Sequence, residues 1–178
     1  SLRQKYREGV DLVLKAWTAT EPFAFNGRFT QMRYVNVLPR PLQRPHPPIV
    51  IGGGGPRVLA LAAREADVVG LNVNLAVGVL DDRAGPNATE DATRAKLDII
   101  RSAAGDRFDD LELQVRVHAV VVTDDRQGMA ELLAPALGIS PAAALASPHA
   151  LAGSPEQIAD DLLARRDRWG LSCITVSL

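Results

Sequence analysis

The sequence predicts an α/β fold, a parallel sheet covered by helices. Apolar runs of strand length alternate with segments of helical period four times along the chain. Residues 49–71 read strand, helix, strand, a βαβ unit with a right-handed crossover expected. Four consecutive glycines, Gly52-Gly53-Gly54-Gly55, stand where the first of those strands meets its helix. The 178 residues suit one domain, read as spanning 1–178.

Each element has its own signal. Tyr6, Val10, Val13, Leu14 and Trp17 recur at helical spacing and predict a first helix over residues 3–18. Phe23, Phe25 and Phe29 around Asn26-Gly27 suit a small hairpin covering an edge. Residues 39–48 hold five of the 12 prolines, so that stretch is extended, a stiff connector more than a PxxP ligand. Ile49-Val50-Ile51 reads as a strand buried on both faces. Pro56 suits the first position of a helix whose stripe is Val58, Leu59, Ala62, Ala63 and Ala66. Val68-Val69-Gly70-Leu71 is a second buried strand, and residues 78–88 read as a loop.

Asn87 and Glu90 have capping-box spacing before a helix carrying Ala95, Leu97, Ile100 and Ala104. Between residues 111 and 122, Leu113, Val115, Val117, Ala119 and Val121 share one face, and Gln114, Arg116 and His118 the other. Asp124-Asp125 opens a helix with Met129, Leu132, Leu133 and Leu137 on its inner side. Ser140-Pro141 starts a short helix ending before Ser147-Pro148. Ser154-Pro155-Glu156-Gln157 starts a helix lined by Ile158, Leu162 and Trp169 and closed by Gly170. A last strand runs from Leu171 to Leu178.

Composition narrows the function classes. With 20 basic and 21 acidic side chains the net charge is -1, so no electrostatic case exists for nucleic acid or an anionic membrane. The single cysteine, Cys173, excludes an internal disulfide framework and reads as a small buried hydrophobe. No apolar run approaches the ~20 residues of a membrane span. The chain opens straight into a helical pattern, so no signal peptide is expected and the cytoplasm is the default location. The three histidines lack metal spacing, and neither Asp81-Asp82 nor Asp124-Asp125 reads as a catalytic carboxylate pair. His149 follows Ser147-Pro148 in a loop with no evident partner.

The glycine turn is the main chemical signal. Without Cβ atoms the backbone folds tightly and lets another group approach. The turn also brings N–H groups and the positive end of a helix dipole to one spot, a ready phosphate site. A Walker loop would end in Gly-Lys-Ser/Thr, whereas this one ends Gly55-Pro56-Arg57. The Rossmann spacing from Gly52 would need glycine at Arg57. The alternative is a tight turn without a ligand.

Several stretches together resemble a known family. They are Trp17, Phe25-Asn26-Gly27, residues 39–43, residues 47–57, residues 62–67, and the tail from Leu151 to Ile158 with Trp169-Gly170. They resemble the luciferase-like monooxygenase superfamily, most closely its coenzyme F420-dependent branch. The resemblance implies a TIM barrel of which this chain covers the second half, strands five to eight, since a whole barrel takes about 250 residues. It implies a flavin- or deazaflavin-dependent oxidoreductase or monooxygenase acting on a small organic substrate. FMN or coenzyme F420 would be held at its phosphate by Gly52, Gly53, Gly54, Gly55, Pro56 and Arg57. No proton donor is assigned and no metal is expected.

In such a barrel the strand face opposite the helices lines the mouth. Asn72 and Asn74 after the second strand, with Arg116 and His118, are then candidate substrate contacts. Gln114, Arg116 and His118 suit a filled polar layer or a solvated face better than a pocket wall, because periodicity gives a face and not a depth. A half-barrel exposes two sheet edges, so a homodimer or a missing segment is expected. The alternative reading is a non-catalytic half-barrel or a phosphate-binding module.

Overall fold

The computed structural model describes residues 1–74 and 84–176. Asp81-Asp82, most of the expected loop at 78–88 and the end of the last strand lie outside the described residues. The chain forms two compact units, Ser1–Pro48 and Ile49–Leu178.

The first unit is a helix and a hairpin. Helix α1 (Leu2–Thr18) starts at a capping box, with Ser1 and Gln4 satisfying each other's backbone N–H. Strands β1 (Phe23–Asn26) and β2 (Gln31–Val35) pair antiparallel, as the phenylalanine spacing suggests. The Glu8 carboxylate accepts the N–H groups of Arg28 (2.7 Å), Phe29 (2.9 Å) and Thr30 (2.7 Å) and so grips the hairpin loop. Burial pushes its pKa up, and the amides of Phe29, Thr30 and Arg28 outweigh that and hold it below the usual glutamate range. Residues 36–48 form neither helix nor strand, as five prolines require.

The second unit carries the βα repeats. Strands β3 (Val50–Gly53), β4 (Val68–Leu71), β5 (Glu112–Val117) and β8 (Leu171–Val176) form a parallel four-stranded sheet in the order β3-β4-β5-β8. Helices α2 (Pro56–Glu65), α3 (Glu90–Ala104), α4 (Arg126–Leu137), α5 (Pro141–Ala146) and α6 (Pro155–Trp169) lie between strands in sequence. The expected strand over 111–122 breaks at His118. Its second part, β6 (Ala119–Val122), leaves the main sheet and pairs in parallel with β7 (Ala150–Gly153). Strand β7 has no counterpart in the sequence reading.

The sheet's two faces differ in chemistry. Val69, Leu71, Leu113, Val115 and Leu171 bury against Leu59, Ala62, Leu97, Ile100 and Trp169 of the helices. Burying each large side chain of that core contributes roughly 1.5–3 kcal/mol. The opposite face carries Gly52, Gly70 and Gln114 in one register row, with Arg116 beside Thr175 further along. The glycines leave room for amides: a Cβ on Gly70 would lie 2.8 Å from Gln114 Oε1, and one on Gly52 2.9 Å from Asn72 Nδ2. Strand β4 is buried on both faces, as expected. Strand β3 is not, because it lies at the sheet's edge, and Val50 is 57% exposed.

Several helix expectations need correction. The N-cap of α3 is Thr89, not Asn87, whose Oδ1 instead accepts the N–H of Asn74 at 2.6 Å. Among the described side chains of α4 the buried ones are Ala130 and Ala134, while Leu132 is 69% exposed and the Leu137 side chain lies outside the described ones. Asp125 caps that helix, Ser140 caps α5, and Ser154 with Gln157 forms the capping box of α6. Gly170 ends α6 at φ 71°, a left-handed conformation that favours glycine.

Candidate functional site

Three anchors to the backbone fix β3, α2 and β4, two at the N-terminal edge of the sheet and one at its C-terminal edge. Asp67 Oδ2 accepts the N–H of Ile49 at 2.7 Å, tying the start of β3 to the start of β4. Arg107 donates to the carbonyls of Ala63 and Ala66, each at 2.7 Å, and closes the C-terminus of α2. The N–H of Asn72 donates to Gly53 O at 3.1 Å and carries the pairing of β3 and β4 past the end of β4. The start of α2 is therefore held between fixed strands.

The glycine run divides into four different environments. Gly52 and Gly53 belong to β3, so only Gly54 and Gly55 make the turn. None of the four has a positive φ. Their need for glycine is crowding. A Cβ on Gly53 would lie 2.5 Å from Val58 Cγ1, and one on Gly54 would overlap the backbone of Val73 and Asn74. Gly55 is different, since a Cβ there meets only Asn74 Oδ1, at 3.9 Å.

Gly55 is also the N-cap of α2 and offers no side-chain cap. Among the described residues, the other five α-helices each begin on a Ser, Thr or Asp whose side chain accepts a backbone N–H. The first turn of α2 thus lacks the acceptor supplied elsewhere in the fold, at the positive end of its dipole. Pro56 occupies its first position as expected, and the Arg57 side chain is exposed in the same turn.

A cleft of about 380 Å³ opens at this point. It brings together Gly53, Gly54 and Gly55 with Asn72, Asn74, Arg116 and His118 from the ends of β4 and β5, and with Val58 and Val73. All four expected substrate contacts and three of the expected phosphate residues line it. Gly52, Pro56 and Arg57 are not in its wall. Its position is where parallel α/β sheets place ligands, outside the carboxyl ends of the strands. An open glycine, an uncapped helix start and arginines nearby form an arrangement able to receive a phosphate-bearing molecule.

Behind Arg116 and His118 lies a buried polar group that the sequence did not announce. His149 is 4% exposed, and its Nδ1 donates to Arg116 O at 2.9 Å, which fixes the neutral tautomer with a proton on Nδ1. The N–H of His118 donates to His149 O at 2.8 Å, so parallel pairing sets the two rings 5.8 Å apart. Burial lowers the His149 pKa to about 4, the Arg116 carbonyl acts against it, and the charges of Lys96, His118 and Arg165 add to the lowering. Burial also lowers the pKa of His118, with the Arg116 charge second. Both rings are neutral at neutral pH. Lys96, buried on α3, donates to Asn87 O at 2.7 Å, and its pKa is lowered to about 8 by burial. Asn87 in turn holds Asn74 at the cleft's edge. No hydrophobic period marks β7 and so places His149, because Ala150-Leu151-Ala152-Gly153 is short and poor in strand formers.

Among the described residues no group of three His, Cys, Asp or Glu side chains is placed to hold a metal ion. Nor is any described helix long and apolar enough to cross a membrane.

Comparison with known proteins adds the family. The profile of the luciferase-like monooxygenase family matches residues 2–149. The FMNH2-dependent dimethylsulfone monooxygenase of Pseudomonas putida is 28% identical over 140 residues, 75% of this chain and 34% of its own. The crystal structure of the monooxygenase RslO1 from Streptomyces bottropensis superposes with a TM-score of 0.63 at 23% identity, over 98% of this chain and 54% of that one. The coenzyme F420-dependent tetrahydromethanopterin reductase of Methanopyrus kandleri gives 0.65 at 14% identity, over 97% and 56%. The chain thus spans about a third of the curated relative and about half of the solved ones, consistent with a partial barrel. With a profile match over most of its length and the same fold, this chain belongs to the luciferase-like monooxygenase family.

Proposed function

We propose that the chain is the cofactor-phosphate half of a flavin- or deazaflavin-dependent oxidoreductase acting on a small organic substrate. The observation that carries this reading is the uncapped start of α2 at Gly55, opening on a cleft lined by Asn72, Asn74, Arg116 and His118. Backbone N–H groups of Gly52, Gly53, Gly54, Gly55 and Arg57, with Pro56 shaping the turn and the Arg57 guanidinium beside it, would take the phosphate of FMN or coenzyme F420. Arg116 and His118 would face the substrate. The bound cofactor supplies the hydride chemistry, and the protein supplies binding, orientation and exclusion of water. In this reading the enzyme works in the cytoplasm as a homodimer, with residues 1–178 acting as one domain.

A second reading has its own support. The chain spans only about half of its solved relatives, which suits a phosphate-binding module without turnover. Fluorescence titration with FMN, riboflavin and coenzyme F420 tests both. FMN or F420 is expected to bind stoichiometrically, with FMN at least tenfold tighter than riboflavin, which lacks the phosphate. Equal affinity for FMN and riboflavin would remove residues 52–57 from the site. Binding without substrate oxidation or reduction would favour the module.

A further inference from the structure

A short 3-10 turn, Gly85–Ala88, precedes α3, and its carbonyls are taken one after another. Pro86 O accepts from Thr89 Oγ1 at 3.1 Å and Asn87 O from Lys96 Nζ at 2.7 Å. Ala88 O accepts from Ser147 Oγ at 2.6 Å, and Thr89 O from the N–H of Thr93 at 3.0 Å. Lys96 is 4% exposed and Ser147 2%, so two of these bonds come from buried donors on α3 and on the link between α5 and β7. Breaking either leaves a buried group unpaired, which makes the turn a fixed part of the fold.

The turn reaches both walls of the cleft. Toward β4, Asn87 Oδ1 accepts the N–H of Asn74 at 2.6 Å, and Val73 packs with Ala84 and Ala88 in a small buried cluster. The Val73–Asn74 backbone in turn leans on the glycine run, since a Cβ on Gly54 would fall 2.4 Å from it. Toward β5, the Ser147 hydroxyl that donates to Ala88 O also accepts the N–H of His149 at 3.1 Å. His149 then holds Arg116 through Nδ1 and His118 through its carbonyl. Asn74, Arg116 and His118 line the cleft, whereas Asn87 and Ser147 do not.

We propose that Asn87 and Ser147 are positioning residues of the cleft. Through the turn they share, they set the spacing between the wall at the glycine run and the wall at the end of β5, and with it the fit of the bound molecule. Asn74 and His118 each follow the end of a strand, where the ladder no longer fixes the backbone. Binding groups need to be held within about 0.5 Å of the productive geometry, and here buried side chains behind the walls supply that hold. This inference rests on the proposed oxidoreductase reading only in taking FMN as the ligand.

Proton–nitrogen NMR of the 178-residue protein, followed by fluorescence titration with FMN, tests it. Asn87→Ala is expected to move the amide signal of Asn74, and Ser147→Ala those of Arg116 and His118. Because the turn is shared, each variant should also move signals on the opposite wall. Each should weaken FMN by about fivefold or more. The double variant should lose less than the product of the two single losses, as residues of one network do. Ser147→Thr keeps the hydroxyl and should restore affinity. Ile100→Val trims the fully buried core away from the network, so it should lower the melting temperature without changing FMN affinity. Parent-like FMN affinity in both single variants, signals that move on one wall only, a strictly multiplicative double variant, or no rescue by Ser147→Thr would overturn the proposal. So would an equal loss of affinity in Ile100→Val. A parent chain that binds no FMN, while signals on both walls move together in the variants, would sink the flavin reading alone. FMN binding indifferent to both variants would sink this inference alone.

Discussion

Gly54 and Gly55 are adjacent, yet they lack side chains for different reasons. At Gly54 the crowding comes from the chain's own Val73–Asn74 backbone. Gly54→Val should therefore unseat the turn and lower the urea midpoint sharply. Gly55 has φ −96° and ψ 151°, an ordinary conformation for any residue, and open space at its Cβ. Gly55→Ser therefore makes the cleaner probe. Its hydroxyl would supply the missing cap and raise stability by a few tenths of a kcal/mol. The same hydroxyl would compete for the N–H groups that a phosphate needs. Stability up and FMN affinity down, by about tenfold, is the expected pair of signs. An unchanged affinity would show that no phosphate uses that helix start.

His149 gives a residue-scale prediction in pH. Its folded pKa of about 4 lies below the usual 6.5, so the unfolded chain binds the extra proton between those values. Stability is complete above pH 6.5 and falls as the pH drops toward 4. At 1.36 kcal/mol per unit the loss is about 3 kcal/mol. His149→Asn keeps a donor for Arg116 O and removes the titration, so urea midpoints measured from pH 7 to pH 4 should flatten. A slope equal to the parent's would assign the acid sensitivity to other groups. This residue also marks where the sequence was silent. Gly55, Asn72 and Asn74 were legible because turn glycines and strand-end asparagines have positional meaning. His149 was not, because a burial depth depends on a strand that has no local signature.

At the scale of elements, capping and periodicity made most of the fold legible. The α1 helix, the hairpin, α2 with its proline, β4 and the capping box of α6 all follow from spacing and end signals. What failed was tertiary in origin. The 111–122 run alternates cleanly at first and ends in the continuous apolar Val120-Val121-Val122, and pairing with β7 draws its second half out of the main sheet. Arg165 on α6 holds that arrangement. It is 5% exposed and donates to Pro148 O at 3.3 Å and Ala150 O at 2.7 Å, on either side of His149. Arg165→Met should keep the packing of the stem but leave two carbonyls unpaired. An unfolding cost of roughly 2–4 kcal/mol is expected from calorimetry or urea titration. The His149 ring signal should shift with it. A neutral effect on both would mean that water replaces the guanidinium without moving β7.

At the scale of the whole molecule, the polar face of the sheet and its ends decide how the chain behaves in solution. Strands β3 and β8 each pair on one side within the four-stranded sheet. Their solvent-facing apolar side chains include Val50, 57% exposed, and Val176, 51% exposed. Natural sheets blunt such edges with charge, proline or a bulge. Near Val50 the sequence offers Pro47 and Pro48, which stop pairing before the strand begins but leave the strand itself unprotected. Self-association is therefore expected, and the proposed homodimer is its simplest closed form. Sedimentation velocity from 1 to 100 µM (concentrations chosen to span about two decades of association) should show a monomer passing to a dimer. Val50→Lys places a charge on the exposed face without touching the core, so it should leave the melting temperature nearly unchanged and hold the protein monomeric. A wild-type chain that stays monomeric throughout would show that its edges are already protected, and the partner requirement would then fall away from the functional reading.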